Sequence, residues 1–242
     1  MTRVVISQPM YFPWVGFLAQ MALADVLIWL DDAQFSKGSF TNRVQVKTAA
    51  GRKWMSIPLL GKGSKTPIMD LEPVDRHWRD SHRSLLKNAL GQAPFAADAL
   101  AVLDEVLDKT QGDRLCETII ASAENSALAT GIAPVHSLRS SEMDVPGTGW
   151  RRVLDLVSKV GGTHYVTGHG ARNYLDHQAF ADAGITVDYM RYDPLPWVQQ
   201  SGPFTPHVTG LDLIAACPPD ARTAHLNPAT TPWQDFLDQK AT

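Results

Sequence analysis

The sequence predicts an α/β protein: a mainly parallel sheet with helices on both faces, an edge β-hairpin and a helical insertion in the middle. Three observations carry that expectation. Residues 3–7 and 26–30 are short and apolar in their interiors, the pattern of strands covered on both faces. Beyond Gly131, strand-like and helix-like segments alternate, as βαβ units require. Between these regions, residues 78–90, 96–109 and 114–129 carry apolar positions at three- and four-residue spacing.

The elements follow in order. Residues 3–7 read as the first strand, 15–23 as a helix and 26–30 as the second strand. Segments 43–47 and 53–59 alternate polar with apolar residues across Ala49-Ala50-Gly51, so a hairpin is expected there, at an edge. The three central helices end near Gly91, Gly112 and Gly131, where helix stops belong. A strand at 135–138, a helix at 150–160, a strand at 164–167, a helix near 178–183 and a strand at 186–189 complete the alternation. After Asp193 the proline-rich chain is expected to wrap the surface, with one short helix at 211–216. No repeat or low-complexity linker interrupts it, so a single α/β domain is expected over 1–242, with 76–131 as a helical insertion or cap.

Composition narrows the function classes. With 242 residues and 44% hydrophobic content the chain can bury a sizeable core. It has no apolar run of about 18 residues and no signal-peptide pattern at its start, so a cytoplasmic protein without a membrane partner is expected. Cys116 and Cys217 lie far apart with no metal-ligand spacing, which argues against a disulfide framework and a structural zinc. There is no metal signature, and the cofactor is left open. The net charge of −3 excludes a globally basic DNA binder. Between Ala33 and Met69, however, every charged residue is basic: Lys37, Arg43, Lys47, Arg52, Lys53, Lys62 and Lys65. Any one of them alone reads as part of a solvated face. Seven of one sign, interleaved with Phe35, Phe40 and Trp54, point to an anionic ligand such as a phosphate ester.

Ligands of open parallel sheets bind beyond the carboxyl ends of the strands, which makes three loops candidates. In the first, "QPMYFPW", Pro9 and Pro13 fix the backbone around aromatic residues. Phe12 reads as a core plug, whereas Gln8, Tyr11 and Trp14 are candidate ligand contacts. In the second, "LDDAQFSKGSFTNR", Asp31 and Asp32 are adjacent and must point to opposite sides on an extended backbone. One of them is expected to face the site and the other to cap or anchor the loop. Gln34, Asn42 and Arg43 follow, with Lys47 and Trp54 on the hairpin, and the Arg43 fork suits a carboxylate or phosphate. In the third, "YVTGHGARNYLD", Thr167, Gly168 and Gly170 would let backbone amides approach a ligand, leaving His169 exposed as a candidate base. This loop lacks the third glycine of the dinucleotide fingerprint, since Asn173 stands there. No Walker A loop, GxSxG elbow or HExxH helix occurs.

Four stretches together resemble the WbqC-like family: "ISQPMYFPWVGFLAQMALADVLIWLDDAQFSKGSFTNRVQVKTAAGRKWMSIPL", "HWRDSHRSLLKNALGQAPF", "THYVTGHGARNYLDHQAFADAGITVDYMRY" and "FTPHVTGLDLIAAC". They span nearly the whole chain, and the QPxYFPWxGF opening followed by DDxQF and NR is specific. The resemblance implies a role in surface-polysaccharide or O-antigen biosynthesis and a glycyl-transfer activity on a sugar amine. Two departures stand out. The family's usual HQP opening reads Ser7-Gln8-Pro9, and the GxG loop, proline-containing in many relatives, carries His169.

The leading expectation is a biosynthetic transferase that moves an acyl or aminoacyl group, glycyl included, onto an amino sugar or similar small amine. Its partners would be that amine or a nucleotide-linked sugar, together with an aminoacyl donor. Amine acylation needs a deprotonated nucleophile, a stabilised oxyanion and two substrates in register. His169, Asp31 or Asp32 would serve as base, with His82 of "HWRDSH" as a second candidate whose alternative is a plain helix-surface histidine. The absence of a complete nucleophilic triad keeps open a non-catalytic binding protein for a nucleotide-linked metabolite. A nucleotide-dependent ligase or nucleotidyltransferase is a third possibility.

Overall fold

The computed structural model describes residues 1–62, 65–110, 114–132 and 136–239. Its centre is a six-stranded sheet built from β1 (Arg3–Ser7), β2 (Val26–Trp29), β5 (His136–Arg139), β6 (His164–Thr167), β7 (Thr186–Arg191) and β8 (Ala229–Pro232). The spatial order is β5-β2-β1-β6-β7-β8. The first five strands are mutually parallel, and β8 pairs antiparallel with β7. The chain therefore lays down β1, β2 and β5 outward in one direction, returns past β1, and lays down β6 and β7 in the other. Its reversal falls between β1 and β6.

Side-chain alternation sends the central strands into two cores. On β1, Val5 enters one core while Val4 and Ile6 enter the other; on β2, Leu27 and Trp29 part in the same way from Val26 and Ile28. Helices α1 (Val15–Met21), α2 (Trp78–Leu90), α3 (Ala96–Lys109), α4 (Leu115–Ala129) and α7 (Leu211–Ala216) contribute to the first core. Helices α5 (Gly149–Lys159), α6 (His177–Asp182) and α8 (Trp233–Asp238) contribute to the second. Burial of Val153, Leu156 and Val157 on α5 stabilises its docking by about 1.5–3 kcal/mol each. Among the described residues, no helix is long and apolar enough to cross a membrane.

The hairpin forms from β3 (Arg43–Thr48) and β4 (Gly51–Ser56), turning over Ala49 and Ala50. It makes a two-stranded sheet of its own instead of extending an edge of the large one. The reason is its inner face: Val44, Val46 and Met55, with Ile57 just beyond β4, are buried in the first core, where α2 packs against both strands. A backbone bond from Thr209 to the Gln45 carbonyl, 2.8 Å, fastens it on the other side.

Most expected elements appear with small shifts of their ends. The helix stop at Gly112 and the strand start at Val135 lie outside the described residues. The proline-rich tail carries two elements not anticipated from sequence, β8 and α8. "ATTP" has no apolar alternation to announce a strand; it is an edge strand that borrows its partner from β7.

The opening loop is largely a core plug. Tyr11 and Phe12 are fully buried with their rings edge to face at 4.8 Å. Phe12 sits at φ 38°, a region that bulky residues rarely occupy, and its N–H donates to the Ser122 hydroxyl at 2.8 Å. The Pro13 carbonyl accepts from Gly210, so both ends of the turn are tied down.

Candidate functional site

Because β1, β2 and β6 run parallel, the chain leaves all three at the same carboxyl end of the sheet. A crevice opens there at the reversal between β1 and β6, where ligands of doubly wound sheets bind. It consists of two adjoining hollows of about 450 and 740 Å³ that share Gln8, Leu30 and Tyr174.

The smaller hollow lies between Ser7, Gln8 and Pro9 after β1 and Thr167, Gly168 and Gly170 after β6, with Phe40 at its rim. Gly168 is tightly approached: a Cβ there would stand 2.7 Å from the Tyr192 hydroxyl, which would have to shift. Thr167 is buried and accepts the Tyr165 hydroxyl at 3.1 Å.

Asp32, Gln34, Arg152 and the Gly147-Thr148-Gly149 turn line the larger hollow. Arg152 grips Asp32 bidentately, at 3.0 and 2.5 Å, and donates its Nε to the Val145 carbonyl at 2.8 Å. The Ser140 hydroxyl adds a bond to Asp32 at 2.6 Å. Burial pulls the Asp32 carboxyl upward, but hydrogen bonds from Arg152 and Ser140 and the guanidinium charge outweigh it, holding the group below the usual carboxylate range. Asp32 is therefore an anion at neutral pH with its charge balanced. The amino end of α5 also opens here, and Thr148 makes no side-chain cap to its first-turn N–H groups.

The two aspartates take different roles, but not by pointing to opposite sides of an extended backbone: both sit in a turn, and the Ser140 hydroxyl lies 3.3 Å from Asp31 and 2.6 Å from Asp32. Asp31 is buried and accepts from the Ser141 N–H at 3.0 Å and the Ser141 hydroxyl at 2.7 Å, anchoring the loop after β2 to the loop after β5. Asp32 faces the crevice.

Several candidate residues stand elsewhere. Tyr11 and His82 meet in the core: the Tyr11 hydroxyl is 3.0 Å from His82 Nδ1, and His82 Nε2 is 3.1 Å from the Ser56 carbonyl. Since a carbonyl only accepts, Nε2 carries the proton and Nδ1 accepts from the phenol. Burial pushes the His82 pKa down to about 4 and raises the Tyr11 phenol far above its ordinary value. Neither reaches the crevice, because α2 uses that face to seal the hairpin. His169 also turns aside from the lining: Nε2 donates to the Met190 carbonyl at 2.7 Å, and its ring packs on Tyr192 and Phe236. Trp14 lies against Tyr192 and His207. Asn42 donates to the Ile57 carbonyl at 2.8 Å. Lys47 is buried, binding the Gln199 amide oxygen at 2.7 Å and the Pro203 carbonyl at 2.6 Å. Arg43 and Trp54 lie together on the hairpin, outside both hollows but beside Phe40.

Arg152, Tyr174 and the Gly147–Gly149 turn are site residues that the sequence reading did not single out. Pro146-Gly147-Thr148-Gly149 ahead of an amphipathic helix was the available signal for the turn. Arg152 had none, since its partner is 120 residues away in sequence.

Fold and crevice together define a doubly wound α/β protein with an open cleft at its topological switch point. The family model of the WbqC-like protein family matches residues 8–224, and the chain belongs to that family. It is also 30% identical over 224 residues to the uncharacterized protein Rv1507c of Mycobacterium tuberculosis (strain ATCC 25618 / H37Rv), a match covering 88% of this chain and 93% of that protein. No solved structure matches the chain.

Proposed function

We propose that the protein is a biosynthetic transferase that places an acyl or aminoacyl group, glycyl included, on the amine of a nucleotide-linked amino sugar or similar small molecule. The carrying observation is the charge-balanced Asp32–Arg152 pair in the larger hollow. A carboxylate that stays ionised, in a hollow that Gln8 and Gln34 also line, is suited to orient an amine and sugar hydroxyls. Family membership supports the biosynthetic setting.

The amine nitrogen attacks the donor's acyl carbon, the donor's leaving group departs, and the nitrogen gives up a proton to it. A carboxylate with a depressed pKa is a weak base, so Asp32 acts by holding the amine in line, and the rate comes mainly from proximity. The expected result is a mass gain equal to one acyl or aminoacyl group on a uridine diphosphate amino sugar offered with acyl-thioester or aminoacyl donors. A product that forms only with ATP would instead identify a ligase. The placement of His82 and His169 outside the crevice lining favours, as a second reading, a non-catalytic binding protein for the same metabolite. Tight binding of the amino sugar without product across the donor panel would select it.

A further inference from the structure

The hairpin that belongs to neither sheet edge carries an unusual surface. Phe40 and Trp54 are 38% and 44% exposed, with ring centroids 5.8 Å apart. The Arg43 guanidinium lies 4.2 Å over the Trp54 ring. Its charge is not neutralised: one terminal nitrogen bonds the Gly38 carbonyl at 2.5 Å, and the buried Nε has no acceptor. Lys37 is exposed in the loop ahead of the hairpin, and Arg52, on the same hairpin face as Arg43 and Trp54, meets only the Gln45 amide oxygen, at 3.2 Å. Among the described residues none of these three cations has a carboxylate partner, as expected of a segment that contains no acid.

Phe40 joins this surface to the crevice, since the same residue lines the smaller hollow and touches Trp54. Its loop is fixed in advance. The Phe40 carbonyl accepts from Tyr11 N–H at 3.2 Å, and Ser39 closes a turn onto the Ser36 carbonyl at 3.0 Å. Exposed aromatics held rigid beside unpaired cations meet two demands at once, a flat π-face and a multiple negative charge.

We infer that Phe40 and Trp54, backed by Arg43, form a shelf that stacks the base of a nucleoside diphosphate at the outer rim of the crevice. The inference rests on the nucleotide-linked reading of that crevice and adds its polarity: base and diphosphate on the hairpin, sugar inward toward Gln8 and Asp32. A free anion would need the cations alone; the aromatic pair is what specifies a base.

Calorimetric titration of the full chain with uridine diphosphate, adenosine diphosphate and inorganic pyrophosphate tests it. The wild type is expected to bind both nucleotides more tightly than pyrophosphate. Trp54→Ala and Phe40→Ala should each weaken the nucleotides about ten- to hundredfold, the scale of one base–aromatic stack, while leaving pyrophosphate unchanged. Trp54→Phe should retain most of the affinity, and near-ultraviolet circular dichroism checks folding. Failure of the wild type to bind nucleotides, unchanged nucleotide affinity in both alanine variants, or an equal loss for pyrophosphate would overturn the shelf. Acyl product whose KM ignores these variants would also sink the shelf while sparing the transferase. Shelf-dependent nucleotide binding with no acyl product would sink the transferase while sparing the shelf.

Discussion

Arg152 and Asp32 face each other with the two terminal guanidinium nitrogens each on one carboxylate oxygen, across a separation of 120 residues. The pair joins the loop after β2 to the first turns of α5 at the crevice. Because the side chains are 14% and 25% exposed, the pair is neither fully screened nor fully desolvated.

Arg152→Ala should therefore destabilise the protein by about 2 kcal/mol, the scale of hydrogen bonds to a charged group, as read by urea unfolding. Asp32→Asn tests the charge itself. The Asp32 pKa is lower folded than unfolded, so its contribution is complete above the ordinary carboxylate value and disappears as pH falls through the folded one. Asp32→Asn should flatten the loss of stability below about pH 4. An acid limb identical to that of the wild type would show that the pair contributes nothing to folding.

His82 gives the opposite kind of pH dependence to a base kept free for chemistry. Its folded pKa is about 4, against 6.5 for the unfolded chain, because burial resists the charged form. Between these values the unfolded state binds the extra proton, so stability is complete above pH 6.5 and falls as pH drops toward 4. The total is on the order of 3 kcal/mol. His82→Phe should remove this slope while lowering stability at neutral pH, since Tyr11 and the Ser56 carbonyl lose their partner. Persistence of the slope in that variant would assign it to another group.

The strands were the most legible part of the molecule. Val4, Val5 and Ile6, or Val26 to Trp29, leave no polar face, so only a sheet covered on both sides accommodates them. The split roles of Asp31 and Asp32 were expected from an extended backbone that the turn at 31–32 does not have; both carboxylates meet the Ser140 hydroxyl, and burial rather than alternation separates them. What could not be read depends on partners distant in sequence. Tyr11 looked like a loop residue with a polar tip at the sheet's mouth, but His82, 71 residues on, satisfies that tip inside the core. Lys47 read as an anion contact, yet the 199–203 segment supplies its acceptors. Alternation marked the hairpin and left its docking face open, and that face decided whether it joined the sheet.

The close approach at Gly168 leads to a test of crevice shape. An added methyl would meet the Tyr192 hydroxyl, which itself donates to Gln20 at 3.2 Å. Gly168→Ala should break that bond and cost about 1–3 kcal/mol through overpacking. Affinity for a crevice ligand should fall with it. Tyr192→Phe in the same background relieves part of the crowding and should recover some stability; no recovery would mean the methyl is accommodated elsewhere.

The last prediction separates positioning from proton transfer. Gly168 and Gly170 line the crevice, but His169 between them directs Nε2 to the Met190 carbonyl and packs its ring on Phe236. With Nε2 donating, only Nδ1 could accept a proton, and reaching a crevice ligand would require the ring to leave its aromatic contacts. His169→Gln can still donate to the carbonyl and should keep turnover within about tenfold of the wild type, with ligand affinity unchanged. Asp32→Asn should reduce turnover by roughly 10² or more, since it removes the anion that orients the amine. A drop of 10²–10⁴ in His169→Gln, with folding intact, would mark His169 as the general base and require its loop to rotate on binding. Equal and small effects in both variants would leave the crevice with binding alone, the outcome that the non-catalytic reading requires.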